Sequence, residues 1–431
     1  MTAEDRRPLV VNAFRRWPHP AISVAVVLAH AVALYPGTLP RDATTTAGLT
    51  AALAALGAIL GMVWAGRSAG DPDVRARRVV FGCAVVVLVA TVGVAAWWQN
   101  MIRGAVGAAP VGLGWCAAVT LVPAALVVAV VAVPRATAVV AASAMALTAG
   151  FLAPAGAEGK NPPTSPVAAS ADDSRVLRGE LNPGDFDGAA TALVDKWFRH
   201  GGASARAVVV AVPTGSGWVD RTAVDGFVRR FDGDVRIVTL PYADVPSWRA
   251  FVAERSLAAD SAIAVVRRLV GALDDREPAA GPRVVLYGQS LGAVGADAAR
   301  IWLEDHRPSR LDSTVLTAPP AGTVAPTSDS ARTVVVNHSD PVPRWSTATL
   351  WRPPPTAEDT RLRGPRVPVV PWIPVVSFLQ ASVDLLDALD GSAGVGHRYG
   401  TDQAQLPMVR SADLGCQTMS PRAASYDAPT R

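Results

Sequence analysis

The chain has 431 residues, too many for one ordinary domain; half are hydrophobic and only 18% are charged. Soluble globular proteins carry roughly 25% charged residues, so part of this chain is expected to avoid water. The net charge of +4 is a modest bias, carried largely by arginines beside apolar segments, and argues for membrane orientation over nucleic-acid binding.

The apolar excess sits in residues 20–156. A helix needs about 20 consecutive apolar residues to cross a bilayer core. Five stretches approach that length: Ala21–Leu39, Ala47–Ala65, Val79–Trp98, Val111–Val133 and Thr137–Ala155. The fifth is the weakest, rich in Ala, Thr and Ser, and four spans remain the alternative. Arg6, Arg7, Arg15 and Arg16 precede the first span, and Arg67, Arg75, Arg77 and Arg78 fill the second loop. Only Arg41 or Arg103 stands in the alternate loops, so the positive-inside rule puts residues 1–20 in the cytoplasm. Five spans then leave everything after residue 157 outside the cytoplasm, whereas four keep it inside. Tyr35-Pro-Gly-Thr-Leu-Pro40 offers no small-x-small cleavage site, which makes the first span an uncleaved anchor.

Residues 157–180 turn to Pro, Ser, Ala, Asp and Gly and read as a linker, residues 181–404 as a folded domain, and residues 405–431 as a mobile tail. Within the domain, apolar strand-like runs alternate with helical patterns. Ala207–Val212, Val235–Leu240, Val284–Tyr287, Thr314–Thr317 and Thr333–Val336 read as strands. Asp220–Phe231, Ser247–Leu273 and Leu291–Leu303 read as helices. Fully apolar strands joined by helices predict a doubly wound, mostly parallel α/β sheet, whose sites lie at the carboxyl ends of strands. The three cysteines are too few for a disulfide framework, and no His/Cys cluster has metal-binding spacing, so neither a metal nor another cofactor is expected.

The central chemical signal is Gly288-Gln289-Ser290-Leu291-Gly292, with a strand before it and a helix after it. A turn this sharp strains the serine backbone and demands small neighbours, which Gly288 and Gly292 supply. Ser290 is therefore the candidate nucleophile, and it needs a general base. Three histidines follow it: His306 at the far end of the next helix, His338 just after a strand, and His397 in a glycine-rich loop. With the order Ser, acid, His, Asp340 is the candidate acid and His397 the candidate base. A turn-capping Asp340 and a surface-loop His397 are the plainer alternatives. Asp384 and Asp387 are runner-up acids whose helical spacing suggests a solvated face. The oxyanion donors are expected to be the Leu291 amide and, from the loop after Ala207–Val212, Thr214 and Gly215. The segment with Trp345, Trp351, Pro353-Pro-Pro355, Trp372 and Phe378 reads equally as an apolar cleft facing the membrane or as core packing.

The chain resembles the actinobacterial membrane-anchored α/β-hydrolase family. The matching segments include Val212-Pro-Thr-Gly-Ser-Gly-Trp-Val-Asp220, Leu240-Pro-Tyr-Ala-Asp-Val-Pro-Ser-Trp248 and the Ser290 elbow. They continue through His338-Ser-Asp-Pro341, Trp372-Ile-Pro-Val-Val-Ser-Phe-Leu-Gln380 and Gly396-His-Arg-Tyr-Gly400, with Leu39-Pro-Arg41 in the membrane half. The resemblance implies a helical transmembrane bundle followed by an α/β-hydrolase domain, with Ser290, Asp340 and His397 as the triad. Two positions depart from the family pattern: Gln289 stands where Glu is common, and Val395 where an extra His is common. The expected function is that of a multi-pass membrane-anchored serine hydrolase cleaving a lipid-like or envelope-derived ester. An acyltransferase using the same triad and a non-catalytic envelope scaffold are the competing readings.

Overall fold

The computed structural model describes residues 17–68, 70, 72–132, 174–182, 184–214, 217–243, 255–276, 281–324 and 331–404. The expected fifth span Thr137–Ala155, most of the linker and the C-terminal tail lie outside these residues.

The N-terminal part is a helical bundle: α1 (Pro20–Ala33), α2 (Ala43–Arg67), α3 (Val74–Val106) and α4 (Leu113–Ala132). Three of them, α2, α3 and α4, are long and apolar enough to cross a membrane. α1 is shorter than expected. It has 14 residues, and Leu34–Leu39, read as the end of the first span, leaves the helix. Pro36 and Gly37 break the pattern there, and Asp42 restarts it by accepting from the Thr45 amide at 2.6 Å as the cap of α2. Small residues let α1 and α2 approach closely. A Cβ on Gly57 would lie 2.6 Å from the Ala25 carbonyl, and one on Gly61 would lie 2.6 Å from Ile22 Cα. α3 has 33 residues, about 50 Å at 1.5 Å per residue, and so exceeds the roughly 30 Å hydrocarbon core.

The C-terminal part is a seven-stranded sheet in which every pairing is parallel. The strands are β1 (Val176–Arg178), β2 (Ala207–Val212), β3 (Val235–Thr239), β4 (Arg283–Gln289), β5 (Leu311–Thr317), β6 (Arg332–Asn337) and β7 (Thr360–Arg363), in the order β1-β3-β2-β4-β5-β6-β7. β1 falls inside the stretch read as a linker. Helices α5 (Phe186–Arg199), α6 (Arg221–Arg230), α7 (Arg255–Arg276) and α8 (Leu291–His306) cover the two faces, and α9 (Val376–Asp384) follows β7. Alternation along β2 shows how the faces divide. Val208, Val210 and Val212 join Leu269, Leu286 and Leu303 in one core, while Val209 and Ala211 join Phe227, Phe231 and Tyr287 in the other. Both faces are buried, which is why these strands read as unbroken apolar runs. The chain winds one way from β2 to β3 and returns past β2 to β4. The switch point of the sheet is therefore the crevice between the carboxyl ends of β2 and β4.

Candidate active site

β4 ends at Gln289, and the next residue turns the chain into α8. Ser290 sits at φ 55° and ψ −121°, a left-handed setting that a non-glycine residue rarely adopts. Such backbone strain costs about 1–3 kcal/mol and persists only where surroundings impose it. Here the Ser290 amide donates to the Thr317 carbonyl of β5 at 2.9 Å, and the Ser290 carbonyl accepts from the Ala293 amide at 3.1 Å. A Cβ on Gly292 would collide with the Val212 carbonyl, and one on Gly288 would collide with the Gly292 carbonyl. The first turn of α8 thus packs backbone to backbone against the end of β2.

Asp340 lies beyond β6 and is fully buried. Its carboxylate accepts from three donors. Oδ1 accepts from the Val342 amide at 2.8 Å, and Oδ2 accepts from Tyr399 Oη at 2.6 Å and from His397 Nδ1 at 2.9 Å. With Nδ1 committed as donor, His397 presents Nε2 as the acceptor. The His397 loop is pinned through its main chain. Asn337 Nδ2 donates to the carbonyls of Gly396 at 3.0 Å and Arg398 at 2.9 Å, and the His397 amide donates to the Ala388 carbonyl at 2.7 Å. Gln289 Nε2, adjacent to Ser290, donates to the His397 carbonyl at 3.4 Å. The structure thus joins Asp340 to His397 directly and lays the His397 loop against the Ser290 elbow.

The remaining expected residues divide. Leu291 is the first residue of α8 and is buried. Thr214 follows β2 as expected, but its amide donates to the Trp218 carbonyl at 2.9 Å. That bond closes the turn and takes the Thr214 N–H away from the oxyanion role expected of it. Gly215 lies outside the described residues. His306 is remote, stacked on Trp302 at 4.6 Å at the end of α8. Half-buried His338 has its amide on the Arg363 carbonyl at 3.0 Å; burial, then Arg366 and Arg344, hold its pKa below the usual range. Asp384 corrects the sequence reading: it is 1% exposed, not solvated, and pairs with Arg41 at 2.7 Å. Asp387 is half-buried, and Oδ2 has no hydrogen-bond partner among the described residues. Burial first, and then Asp42, Asp390 and Asp384, push its pKa up to about 6.

Tyr399 and Asp220 carry roles that motif spacing missed. Burial and then Asp340 raise the Tyr399 phenol well above its ordinary pKa, so it serves Asp340 as a neutral donor. Asp220 caps α6 and accepts from the Thr222 amide at 2.8 Å; burial raises its pKa, while nearby Thr222, Gln403 and His397 oppose that shift. The sequence signals for Tyr399 are its place two residues after the candidate base and its inclusion in the segment 396–400 that carries the family resemblance, neither of which gives it a role.

A sharp strand-to-helix serine turn at the switch point of a parallel sheet defines the α/β-hydrolase class. A family model described as the alpha/beta-hydrolase family matches residues 175–330 and 323–411, more than half of the chain, and the protein belongs to that family. Comparisons with curated proteins and with solved structures return no match.

Proposed function

We propose that the protein is a membrane-anchored serine hydrolase that cleaves a carboxylic ester through Ser290, His397 and Asp340. The observation that carries this reading is the 2.9 Å contact between His397 Nδ1 and the buried Asp340 carboxylate, on a loop held against the strained Ser290 turn. Ser290 Oγ attacks the ester carbonyl carbon while His397 Nε2 takes its proton. Asp340 orients the ring and stabilises the imidazolium. The Leu291 amide at the start of α8 receives the oxyanion, and the Gly215 amide remains the second donor of this reading. The tetrahedral species collapses, His397 protonates the departing alcohol, and an acyl-enzyme remains. Water then attacks the acyl carbon with His397 as base, releasing the acid and restoring Ser290.

The bundle supports an extracytoplasmic site. The domain meets the bundle at residues 34–42 and at Val106, whereas Arg67, Arg75, Arg77 and Arg78 lie at the opposite end. The positive-inside rule makes the arginine-rich end cytoplasmic, which requires an odd number of crossings before residue 174. A lipid-like substrate is favoured by the surface beside α1. Val369 is 85% and Trp351 69% exposed, with Ile373 and Val375 also exposed, while Tyr35 Oη at the end of α1 donates to the Pro371 carbonyl at 2.8 Å. The test is turnover of p-nitrophenyl esters of graded acyl length by the full chain in nanodiscs. Ser290→Ala is expected to lower kcat by about 10⁴-fold or more, with longer acyl chains preferred by the wild type. Turnover that survives Ser290→Ala would refute the reading.

A further inference from the structure

Residues 34–42 join α1 to α2 and belong to the membrane half by sequence, yet Leu34, Thr38, Leu39 and Arg41 are all buried. Leu34 packs inside the bundle against Val92, Trp115 and Val119, whereas Thr38, Leu39 and Arg41 reach into the hydrolase domain. Arg41 Nε donates to Asp384 Oδ1 at 2.8 Å, Nη1 to Gln380 Oε1 at 2.5 Å and Nη2 to the Gln380 carbonyl at 2.9 Å. The Thr38 amide donates to Asp384 Oδ2 at 2.6 Å. Gln380 Nε2 in turn donates to the Val32 carbonyl at the end of α1 at 2.7 Å. α3 supports the same loop from below: Gln99 Oε1 accepts from the Arg41 amide at 3.0 Å, and Arg103 Nη2 donates to the Arg41 carbonyl at 2.7 Å.

Both loops of the Asp340–His397 pair rest on this segment. Thr38 Oγ1 lies 3.0 Å from the Ser339 carbonyl, directly before Asp340, and 3.2 Å from Asp384 Oδ2, so its one proton bridges the two acceptors. Ser339 Oγ accepts from the Gly396 amide at 2.9 Å, directly before His397. Leu39 packs with Val395, Ala388 and Val106, and Ala388 is the residue whose carbonyl holds the His397 amide. A Cβ on Gly396 would come within 3.4 Å of Leu39 Cδ2, so the His397 loop lies directly against Leu39. A buried Arg–Asp pair is weak evidence for stability, because desolvation offsets its attraction, but its fork geometry fixes position.

We infer that residues 34–42 are part of the catalytic apparatus, with Thr38 and Arg41 as positioning residues that hold Asp340 and His397 in register with Ser290. The membrane domain then completes the site as well as anchoring it, and activity depends on the bundle being seated against the hydrolase domain. This inference rests on the serine-hydrolase reading.

The test uses the full chain in nanodiscs and compares Thr38→Val with Thr38→Ser. A loss of alignment near 1 Å costs about 10²-fold in rate, so Thr38→Val is expected to lower kcat by about 10- to 100-fold. KM should stay unchanged and the protein should stay folded at the assay temperature despite a lower thermal midpoint, and Thr38→Ser, which keeps the hydroxyl, should retain wild-type kcat. Wild-type kcat in Thr38→Val overturns the inference; so does a fall that Thr38→Ser shares or that follows only the loss of folded protein. Leu39→Ala, which leaves the polar contacts intact but opens a cavity, should lower the thermal midpoint and, per folded molecule, kcat as well, and wild-type kcat there also overturns the inference. Ser290→Ala in parallel separates the two levels. Activity surviving Ser290→Ala refutes the hydrolase reading, whereas activity lost there but intact in Thr38→Val refutes only the positioning role.

Discussion

Asp340 draws its three donors from two places, the Val342 amide of its own turn and the His397 and Tyr399 side chains of one distant loop. The Tyr399 hydroxyl does double duty: it donates to Asp340 Oδ2 at 2.6 Å and accepts from the Asn337 amide at 3.0 Å. Tyr399→Phe removes a hydrogen bond to a charged group and orphans a buried amide, a loss of about 2–3 kcal/mol. Denaturant unfolding should register that loss together with a lower kcat, and an unchanged midpoint would contradict it. Asp387 makes the opposite kind of prediction. Its folded pKa is raised to about 6 by burial and neighbouring carboxylates, so the folded state holds its proton more tightly than the unfolded chain. Its contribution is therefore most favourable at low pH and is lost as pH rises from about 4 to about 6. Asp387→Asn should flatten that part of the stability–pH curve and raise the thermal midpoint at pH 7, and an unaltered curve would exclude the role.

At the scale of elements, the elbow depends on α8 approaching β2 closer than any side chain permits. Gly292→Ala drives a Cβ into the Val212 carbonyl, which is backbone and cannot rotate aside. Expression of folded hydrolase domain should fall sharply, read by the far-UV spectrum and protease resistance; a stable, active Ala variant would show the packing to be looser. The elements legible in the sequence are those whose residues declare their surroundings. β2 and β4 are apolar runs because they are buried on both faces, and the glycines after β4 mark the turn. β1 is three residues long in a polar stretch, and β7 reads Thr-Arg-Leu-Arg at a sheet edge, so neither has a pattern to find. The burial of Asp384 is hidden from the sequence for another reason. Its partner Arg41 lies 343 residues away, and helical spacing records the face of a side chain, not what covers that face. The Ser290 motif was local and therefore visible. The support of His397 by Asn337, 59 and 61 residues from the carbonyls it holds, leaves no local trace.

The whole molecule is organised by one contact, between the α1–α2 loop and the hydrolase domain. Val106 at the C-terminal end of α3 packs into that contact, and Tyr35 of the same loop donates to the Pro371 carbonyl between exposed Val369 and Ile373. On the proposed reading, the domain is expected on the side of the membrane opposite the arginine-rich loop. In a cysteine-free background, Leu389→Cys on the exposed hydrolase surface should react with an impermeant thiol reagent in intact cells. Ser68→Cys, beside the arginine-rich loop, should react only after permeabilisation, and the reverse pattern would place the domain in the cytoplasm. The most direct measurement concerns the nucleophile itself. The full chain in nanodiscs is treated with a fluorophosphonate and digested, and the modified peptide is located by mass spectrometry. A single adduct on Ser290, absent in Ser290→Ala and strongly slowed in His397→Ala, is the expected result. Folded protein that gives no adduct, or an adduct on another residue, would contradict a serine hydrolase built around Ser290.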